Sequence, residues 1–329
     1  MYAPRPTSPL DLPPLPARAA RLVLDQAADL LARDAIEEGL DLLATGLAQV
    51  RLDAAPEDWL DTVQNLCRPH PIGRILLEEP IIRRVATRGR GAGLDADTLD
   101  LLLGLAESQP QRLPPGTTPR GRALHSALVR DGWGRLQRVR LGQVVSAVDA
   151  AADRRVGADV LTVGAAHLRE ARLCRALREV RIGRWVALNE DAAATRAVQV
   201  DVGPYGVEAR VMSLSALMGE PPPLGRFDLI CCASALDGLG DPLARELLCT
   251  LYALLRPGGT LLLGSLRPEF TYAAFLEAFL DLWFVYRDEP RLKRLLDALP
   301  TRGVASMRLF RDEPVAQTWM EVEAGPGRG

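Results

Sequence analysis

Residues 159–170 read Asp-Val-Leu-Thr-Val-Gly-Ala-Ala-His-Leu-Arg-Glu. The run up to Gly164 is short and apolar, which is the pattern of a buried strand that ends in a tight turn. A helical pattern over Leu168–Glu179 comes next. A strand, a glycine turn and a helix in this order predict the first unit of a parallel α/β sheet.

The same alternation continues to the end of the chain. Further apolar runs predict strands at Arg184–Asn189, Val207–Met212, Phe227–Ala233, Thr260–Gly264, Val304–Phe310 and Ala316–Val322. Helices are predicted at Pro242–Leu255 and Tyr272–Val285, but no long helix separates the last two strands. We therefore predict an α/β, Rossmann-like, doubly wound sheet of seven strands with right-handed crossovers and an antiparallel C-terminal edge hairpin. This is the layout of class I methyltransferases.

The chain before the sheet has a different pattern. Apolar residues recur there at spacings of three and four, and no β-branched run is present. We predict an all-helical domain of five to seven helices over residues 17–152, acting as a lid over the site of the Rossmann-like domain at 153–329. Residues 1–16 contain six prolines and are predicted to form an extended arm.

Composition excludes several classes of protein. With 48% hydrophobic and 25% charged residues, the 329-residue chain has the balance of a globular protein rather than of a disordered one. A net charge of −2 gives no field that would attract nucleic acid, and no apolar run of about 18 residues is present to span a membrane. The five cysteines lack CxxC spacing and the three histidines are far apart, so we expect no metal site and a reducing, cytoplasmic location.

Three loops are predicted to meet at one edge of the sheet. In doubly wound sheets, ligands bind at the carboxyl ends of the strands, where the strand order reverses. Gly164–Glu170 follows the first strand, Asn189–Asp191 the second and Ser234–Asp241 the fourth. Gly164 would let a ligand approach the backbone, the helix after it would offer N–H groups to a carboxylate, and polar groups at 189–191 would lie near a ribose diol. With Leu255-Arg-Pro-Gly-Gly259, this order predicts a nucleotide-like ligand.

These residues give the chain a resemblance to a known family. It is similar to class I S-adenosylmethionine-dependent methyltransferases, and more narrowly it resembles the bacterial enzymes that make the 3-hydroxypalmitic acid methyl ester signal, called extracellular factor. The resemblance runs from His70 to Val322. Its motifs are His70-Pro71, Glu79-Pro80, Arg90-Gly91, Asp95-Ala96, Leu99-Asp100, His167–Glu170, Ala187-Leu188, Asp191, Phe227–Leu229, Asp237, Leu255–Gly259 and Tyr286–Glu289.

The resemblance implies S-adenosylmethionine as cofactor and a set of site residues. Cofactor contacts are expected at Gly164, Ala165, His167, Glu170, Asn189, Glu190, Asp191, Ser213, Leu214 and Ala233, with the adenine near Ser213-Leu214 and Glu170 toward the ammonium. Catalytic roles are expected for Asp237, Tyr286 and Arg287, the last as a clamp on an acceptor carboxylate. Acceptor contacts are expected at Arg90, Asp95 and Trp283.

The sequence also departs from the family. Gly164-Ala165-Ala166 stands where the family has Gly-Cys-Gly, and Asn189 replaces the ribose-binding acid. Alternative interpretations therefore stay open for single residues. Asp237 is equally a loop or N-cap residue, His167 is a structural residue rather than a base, and Glu170 also suits the first turn of a helix.

Two further alternatives concern the C-terminal part. Arg287 is also consistent with an internal ion pair to Asp288, Glu289 or an acid of the helical domain. Phe275, Phe279 and Trp283, at helical spacing, also fit a core.

The sequence is consistent with three functions. They are methyl transfer to a small or lipid-like acceptor, other chemistry of the sulfonium such as ring closure, and a catalytically degenerate partner subunit. A homo-oligomer is left open.

Overall fold

A computed structural model describes residues 15–89, 93–104, 113–219, 223–300 and 303–326. The chain divides into two compact units. The first comprises Met1–Gly93, Arg112–Ala127 and Thr271–Leu282, and the second comprises Leu94–Gln111, Leu128–Phe270 and Trp283–Gly329. Nearly all of the expected N-terminal arm, and Arg90, lie outside the described residues.

Eight α-helices occur before residue 155 in the described ranges. They are α1 (Leu15–Ala32), α2 (Ile36–Asp53), α3 (Pro56–Thr62), α4 (Ile72–Leu76), α5 (Pro80–Arg88), α6 (Ala96–Leu103), α7 (Pro119–Arg130) and α8 (Gly132–Arg154). The number exceeds the expected five to seven partly because Ile75–Val85 is not one helix. Glu79 accepts a hydrogen bond from the Ile82 N–H, and Pro80 occupies the first turn, so a new helix begins there.

Two π-helical turns interrupt the first unit. They span Val63–Cys67 and Leu276–Leu280, the second continuing from the short helix α13 (Ala273–Phe275). The helix expected at Tyr272–Val285 is therefore wrong in its extent. It ends because Asp281 adopts a left-handed conformation, with φ of 56°.

The seven-stranded sheet of the second unit confirms the predicted layout. Its strands are β1 (Ala158–Val163), β2 (Ile182–Asn189), β3 (Val207–Val211), β4 (Phe227–Cys232), β5 (Leu255–Leu266), β6 (Val304–Asp312) and β7 (Gln317–Ala324). The order is β3-β2-β1-β4-β5-β7-β6. Strands β1 to β5 pair in parallel, while β7 runs antiparallel to both β5 and β6. The strand order thus reverses between β1 and β4.

Both faces of the sheet are covered. The second unit contributes α8 together with α9 (Arg175–Arg178), α10 (Ala192–Asp201), α11 (Leu214–Met218), α12 (Asp241–Ala253) and α14 (Glu289–Leu296), while α6 packs against α8. One core cluster joins Val144 and Val148 of α8 to Val160 of β1, and the other joins α12 and α14 to the opposite face. Helix α8 is therefore an integral part of the sheet unit, although the sequence placed it in the helical domain.

The segment after β1 differs from the continuous helix predicted at Leu168–Glu179. A 3₁₀ turn at Arg169–Arg172 precedes α9, and Leu168 has a left-handed φ of 48°. Asp149 of α8 accepts hydrogen bonds from the N–H groups of Arg175 (3.2 Å) and Ala176 (2.8 Å). The N–H groups at the start of α9 are thus already paired, and this helix begins at Arg175 rather than at Leu168.

Candidate ligand site at the ends of strands β1 and β4

A cavity of about 90 Å³ lies at the carboxyl ends of β1 and β4, where the strand order reverses. The loop Gly164–Glu170 borders it on one side, and Asp100 of α6 and Arg140 of α8 border it on others. Five of the residues predicted to contact the cofactor line it, namely Gly164, Ala165, His167, Glu170 and Ala233. The cavity therefore occupies the place where doubly wound sheets bind ligands.

The loop after β1 has an unusual backbone. Gly164 has φ of 73°, and a Cβ there would meet no atom within 4 Å, so open space lies beside it. Ala166, which stands where the family has glycine, also has a left-handed φ of 45°. The loop keeps a backbone suited to glycine, and an L-residue in this conformation costs about 1–2 kcal/mol.

Glu170 is one of two acids that line the cavity, the other being Asp100. The side chain of Glu170 is largely buried, and within the described residues no cation pairs with it. Burial raises the pKa of its carboxyl to about 7, and only a hydrogen bond from its own N–H opposes the shift. A bound cation would stabilise the ionised form, so the site is suited to an ammonium group.

Arg140 is one of the basic residues that line the same cavity, and its side chain is almost fully buried. Its Nε and Nη2 atoms donate to Oε1 of Gln317 at 3.0 and 2.8 Å, and Nη2 also donates to Oδ2 of Asp237 at 2.5 Å. No described residue accepts a hydrogen bond from its Nη1 atom. Two N–H groups of a fixed guanidinium thus stay available to an anion.

Asp237 does not have the geometry of a catalytic residue. It is 2% exposed and does not border the cavity. One carboxylate oxygen accepts from Arg140 and the other from the Leu266 N–H at 2.9 Å. Burial raises the pKa of Asp237, and Arg140 acts against this rise. The side chain therefore positions Arg140, which corrects the expected contact with the methyl group.

Arg287 forms the internal ion pair rather than the clamp. It is fully buried, with Nε donating to Oδ1 of Asp241 at 3.0 Å and with the carbonyls of Leu236 and Leu239 as further acceptors. Burial lowers the pKa of Arg287, while Asp241 opposes the change. The partner is thus Asp241 of α12, and not Asp288 or Glu289. Tyr286 is also buried, and neither residue borders the cavity.

The remaining predicted cofactor residues lie outside this cavity; they are Asn189, Glu190, Asp191, Ser213 and Leu214. The Asn189 amide donates to the Ala166 carbonyl at 3.1 Å and accepts from the Asp191 N–H at 3.0 Å. Asp191 caps α10, and Ser213 caps α11. Glu190 is exposed. Asn189 therefore braces the β1 loop, and its side chain is already engaged where a ribose would require it.

An ion cluster forms one rim of the cavity. Asp100 accepts from His167 Nδ1 at 2.8 Å and from two nitrogens of Arg169 at 2.9 and 2.6 Å. Burial alone would raise the pKa of Asp100, but these hydrogen bonds together lower it. His167 thus anchors α6 to the β1 loop, as its structural reading predicted. Asp95 and Trp283, which were expected to contact the acceptor, do not line this cavity. Asp95 caps α6, and Trp283 is 42% exposed.

Sequence reasoning missed Arg140, Gln137 and the role of Asp100. Asp100 lies in the Leu99-Asp100 motif of the resemblance, which was a usable signal. Arg140 is one of many arginines on helices, and only the fold places it beside β1. Within the described ranges, no cluster of acids, histidines and cysteines could hold a metal ion. Among the same residues, no helix combines the length and the apolar character needed to cross a membrane.

No family model matches the sequence, and no curated protein matches it. Among solved structures, the chain is similar to a possible exported protein from Bordetella parapertussis, with a TM-score of 0.58 and 16% identity over 84% of this chain and 98% of that one. That likeness and the strand order show the fold. The fold is Rossmann-like, of the class I methyltransferase type.

Two weaker likenesses are to methyltransferases with S-adenosylhomocysteine. One is to the N-methyltransferase NodS from Bradyrhizobium japonicum, with a TM-score of 0.40 and 16% identity over 70% of this chain and 97% of that one. The other is to the magnesium protoporphyrin IX methyltransferase ChlM from Synechocystis PCC 6803, with a TM-score of 0.41 and 16% identity over 58% and 85%.

Proposed function

We propose that the protein is an S-adenosylmethionine-dependent methyltransferase that acts on a small-molecule or lipid-like acceptor. The observation that carries the proposal is the cavity at the ends of β1 and β4. It combines an unneutralised carboxyl on Glu170 with unpaired N–H groups on Arg140. The amino-acid end of S-adenosylmethionine carries an ammonium and a carboxylate, which are the complements of these two groups.

We infer from its size that the cavity would hold only one end of the cofactor. Its volume of about 90 Å³ is well below the roughly 300–1,000 Å³ of pockets that enclose a whole drug-sized ligand. In the proposal, Glu170 binds the ammonium, Nη1 of Arg140 binds the carboxylate, and the open space beside Gly164 lets the chain leave the cavity. The nucleoside would follow the ends of β2 and β3, toward residues 189–191 and 213–214.

The residues at the cavity mainly orient reactants. S-adenosylmethionine supplies a methyl carbon that its sulfonium already activates, so positioning supplies most of the catalysis. The expected catalytic residues Asp237 and Tyr286 are buried outside the cavity lining. An acceptor that needs no deprotonation, such as a carboxylate, suits this arrangement better than a hydroxyl.

Calorimetric titration with S-adenosylmethionine, followed by mass analysis of acceptor libraries, tests the proposal. A Gly164→Val variant should lose binding because its side chain fills the ligand path. Gly206→Val is the matched control, since Gly206 also has a positive φ (89°) and open space around its Cβ but lies outside the cavity. Binding that survives Gly164→Val would place the cofactor elsewhere, and equal loss in both variants would indicate backbone strain instead.

A catalytically degenerate binding subunit is the second candidate. The observation that favours it is the Asn189 amide, which is engaged by Ala166 and Asp191 and lacks the charge of the family's acid. Asn189→Asp separates the two candidates. If the protein binds the cofactor, the variant should bind it more tightly than the wild type does. If neither the wild type nor the variant binds the cofactor, the result supports the degenerate subunit.

A further inference from the structure

A second and larger cavity lies wholly within the first unit. Its volume is about 500 Å³, in the range of sites that enclose a small organic molecule. It is bordered by the segment between Arg68 and Leu77, by the end of α5, and by residues 278–281. The proposed methyl transfer makes no use of these residues.

The lining combines an apolar wall with positive charge. The wall includes Leu76, Val85 and the half-buried ring of Phe279. Arg68 pairs with Asp281 at 2.5 Å, so the charges of these two residues cancel. Arg74 also borders the cavity, is exposed, and has no acidic partner among the described residues. The cavity therefore carries one uncompensated positive charge beside an aromatic and aliphatic surface.

Two π-helical turns lie next to the cavity, and an ion pair joins their ends. One π-helical turn ends at Cys67, directly before Arg68, and the other ends at Leu280, directly before Asp281. The Arg68–Asp281 ion pair thus links the ends of both π turns. Such turns are rare and occur frequently at functional sites, and Asp281 has the additional strain of a left-handed φ.

His70 fixes the loop at this cavity. Its ring is largely buried, with Nδ1 accepting from the Ile72 N–H at 3.2 Å and Nε2 lying 3.0 Å from Oδ1 of Asp25. Both ring nitrogens therefore serve to hold the loop. The sequence motif His70-Pro71 thus shapes the cavity wall next to Arg74.

We propose that this cavity is a binding site for a small organic anion with an apolar body. Arg74 pairs with the anionic group, and the wall that includes Phe279 packs against the apolar part. A guanidinium supplies planar N–H donors to a carboxylate, sulfonate or phosphate. The site is independent of the cofactor proposed for the sheet unit.

Two fluorescent probes of nearly the same shape test this inference. They are 8-anilino-1-naphthalenesulfonate and its uncharged analogue N-phenyl-1-naphthylamine, titrated into the full chain. We expect the sulfonate to bind at one saturable site at least tenfold more tightly than the neutral probe. Arg74→Gln should remove about tenfold of the sulfonate affinity, Arg74→Lys should retain part of it, and the neutral probe should be unaffected.

A plugging variant localises the binding. Gly73 borders the cavity, lies in α4, and would place a Cβ in space free of atoms within 4 Å, so Gly73→Phe should fill the cavity and abolish probe binding. Gly142→Phe is the matched control, because Gly142 is a helical glycine with equally open space that borders neither cavity. The inference is overturned if Gly73→Phe binds the sulfonate like the wild type, if both glycine variants lose it alike, or if the two probes bind equally.

Discussion

At the scale of single residues, Glu170 links stability to pH. Its pKa is raised to about 7 in the folded chain, whereas the unfolded chain has the ordinary value of 4.5. The folded state therefore prefers the protonated form. Ionisation of Glu170 therefore lowers the free energy of unfolding. This loss is absent below the pKa of the unfolded chain, grows between the two pKa values, and is complete above the pKa of the folded chain.

We accordingly expect Glu170→Gln to raise the free energy of unfolding near pH 8 by about 1–2 kcal/mol, allowing for water in the cavity. Most of this gain should disappear near pH 5. Urea unfolding at both pH values measures it, with the exposed Glu190→Gln as control. A gain of equal size at both pH values would contradict the assigned pKa.

Ala166 gives a second prediction at this scale. Ala166→Gly should stabilise the fold by about 0.5–1 kcal/mol, because the relief of the left-handed strain exceeds the added backbone entropy of glycine. The neighbouring Ala165→Gly should destabilise it, since Ala165 has no positive φ and its side chain is buried. Thermal melting of the two variants checks the prediction, which fails if they shift the melting temperature in the same direction.

At the scale of elements, the Arg140–Asp237 pair connects α8 to the loop after β4. Arg140→Met alone should cost about 3–5 kcal/mol of unfolding free energy because Asp237 is left buried without its partner. Adding Asp237→Asn should recover a large part, since the Leu266 N–H retains an acceptor. Denaturant unfolding of the four chains in a double-mutant cycle measures the coupling. Additive losses would show that the two residues act separately.

The place of helix α8 in the sheet unit also leads to a prediction for a truncated chain. A fragment that begins at Arg155 lacks the buried side chains Trp133, Leu136, Val144 and Val148, which belong to the sheet unit. We expect this fragment to lose cooperative unfolding, because one face of the sheet loses the helix that packs against Val160. Calorimetric melting tests this, and a sharp transition at the temperature of the full chain would refute the role of α8.

The sequence was sufficient to predict the strands, but it did not predict several helix boundaries and side-chain contacts beside them. Buried runs such as Phe227–Ala233 carry a local signal, and the order of strands and helices then restricts the topology. The breaks at Leu168 and Asp281 depend on single left-handed residues. The partners of Asp237 and Arg287 lie on elements that are distant in sequence, so no local pattern could have assigned them.

At the scale of the whole molecule, the fold and the proposed activity rest on different observations. The strand order and the similarity to the Bordetella parapertussis structure show a Rossmann-like fold, and the strand order is the one predicted for class I methyltransferases. The proposed activity depends on the cavity at β1 and β4, where Glu170 and Arg140 are expected to hold the amino-acid end of the cofactor. A fold alone does not imply a function, so this site must be tested directly.

Calorimetric titration of the full chain with S-adenosylhomocysteine is the most direct test of the central claim. We predict saturable binding at one site, with affinity that rises several-fold between about pH 6 and pH 7.5 as Glu170 ionises. Glu170→Gln should bind more weakly and lose this pH dependence, whereas Glu190→Gln should behave like the wild type. Absence of saturable binding at millimolar ligand, or equal binding and pH dependence in the Glu170→Gln chain, would contradict the account.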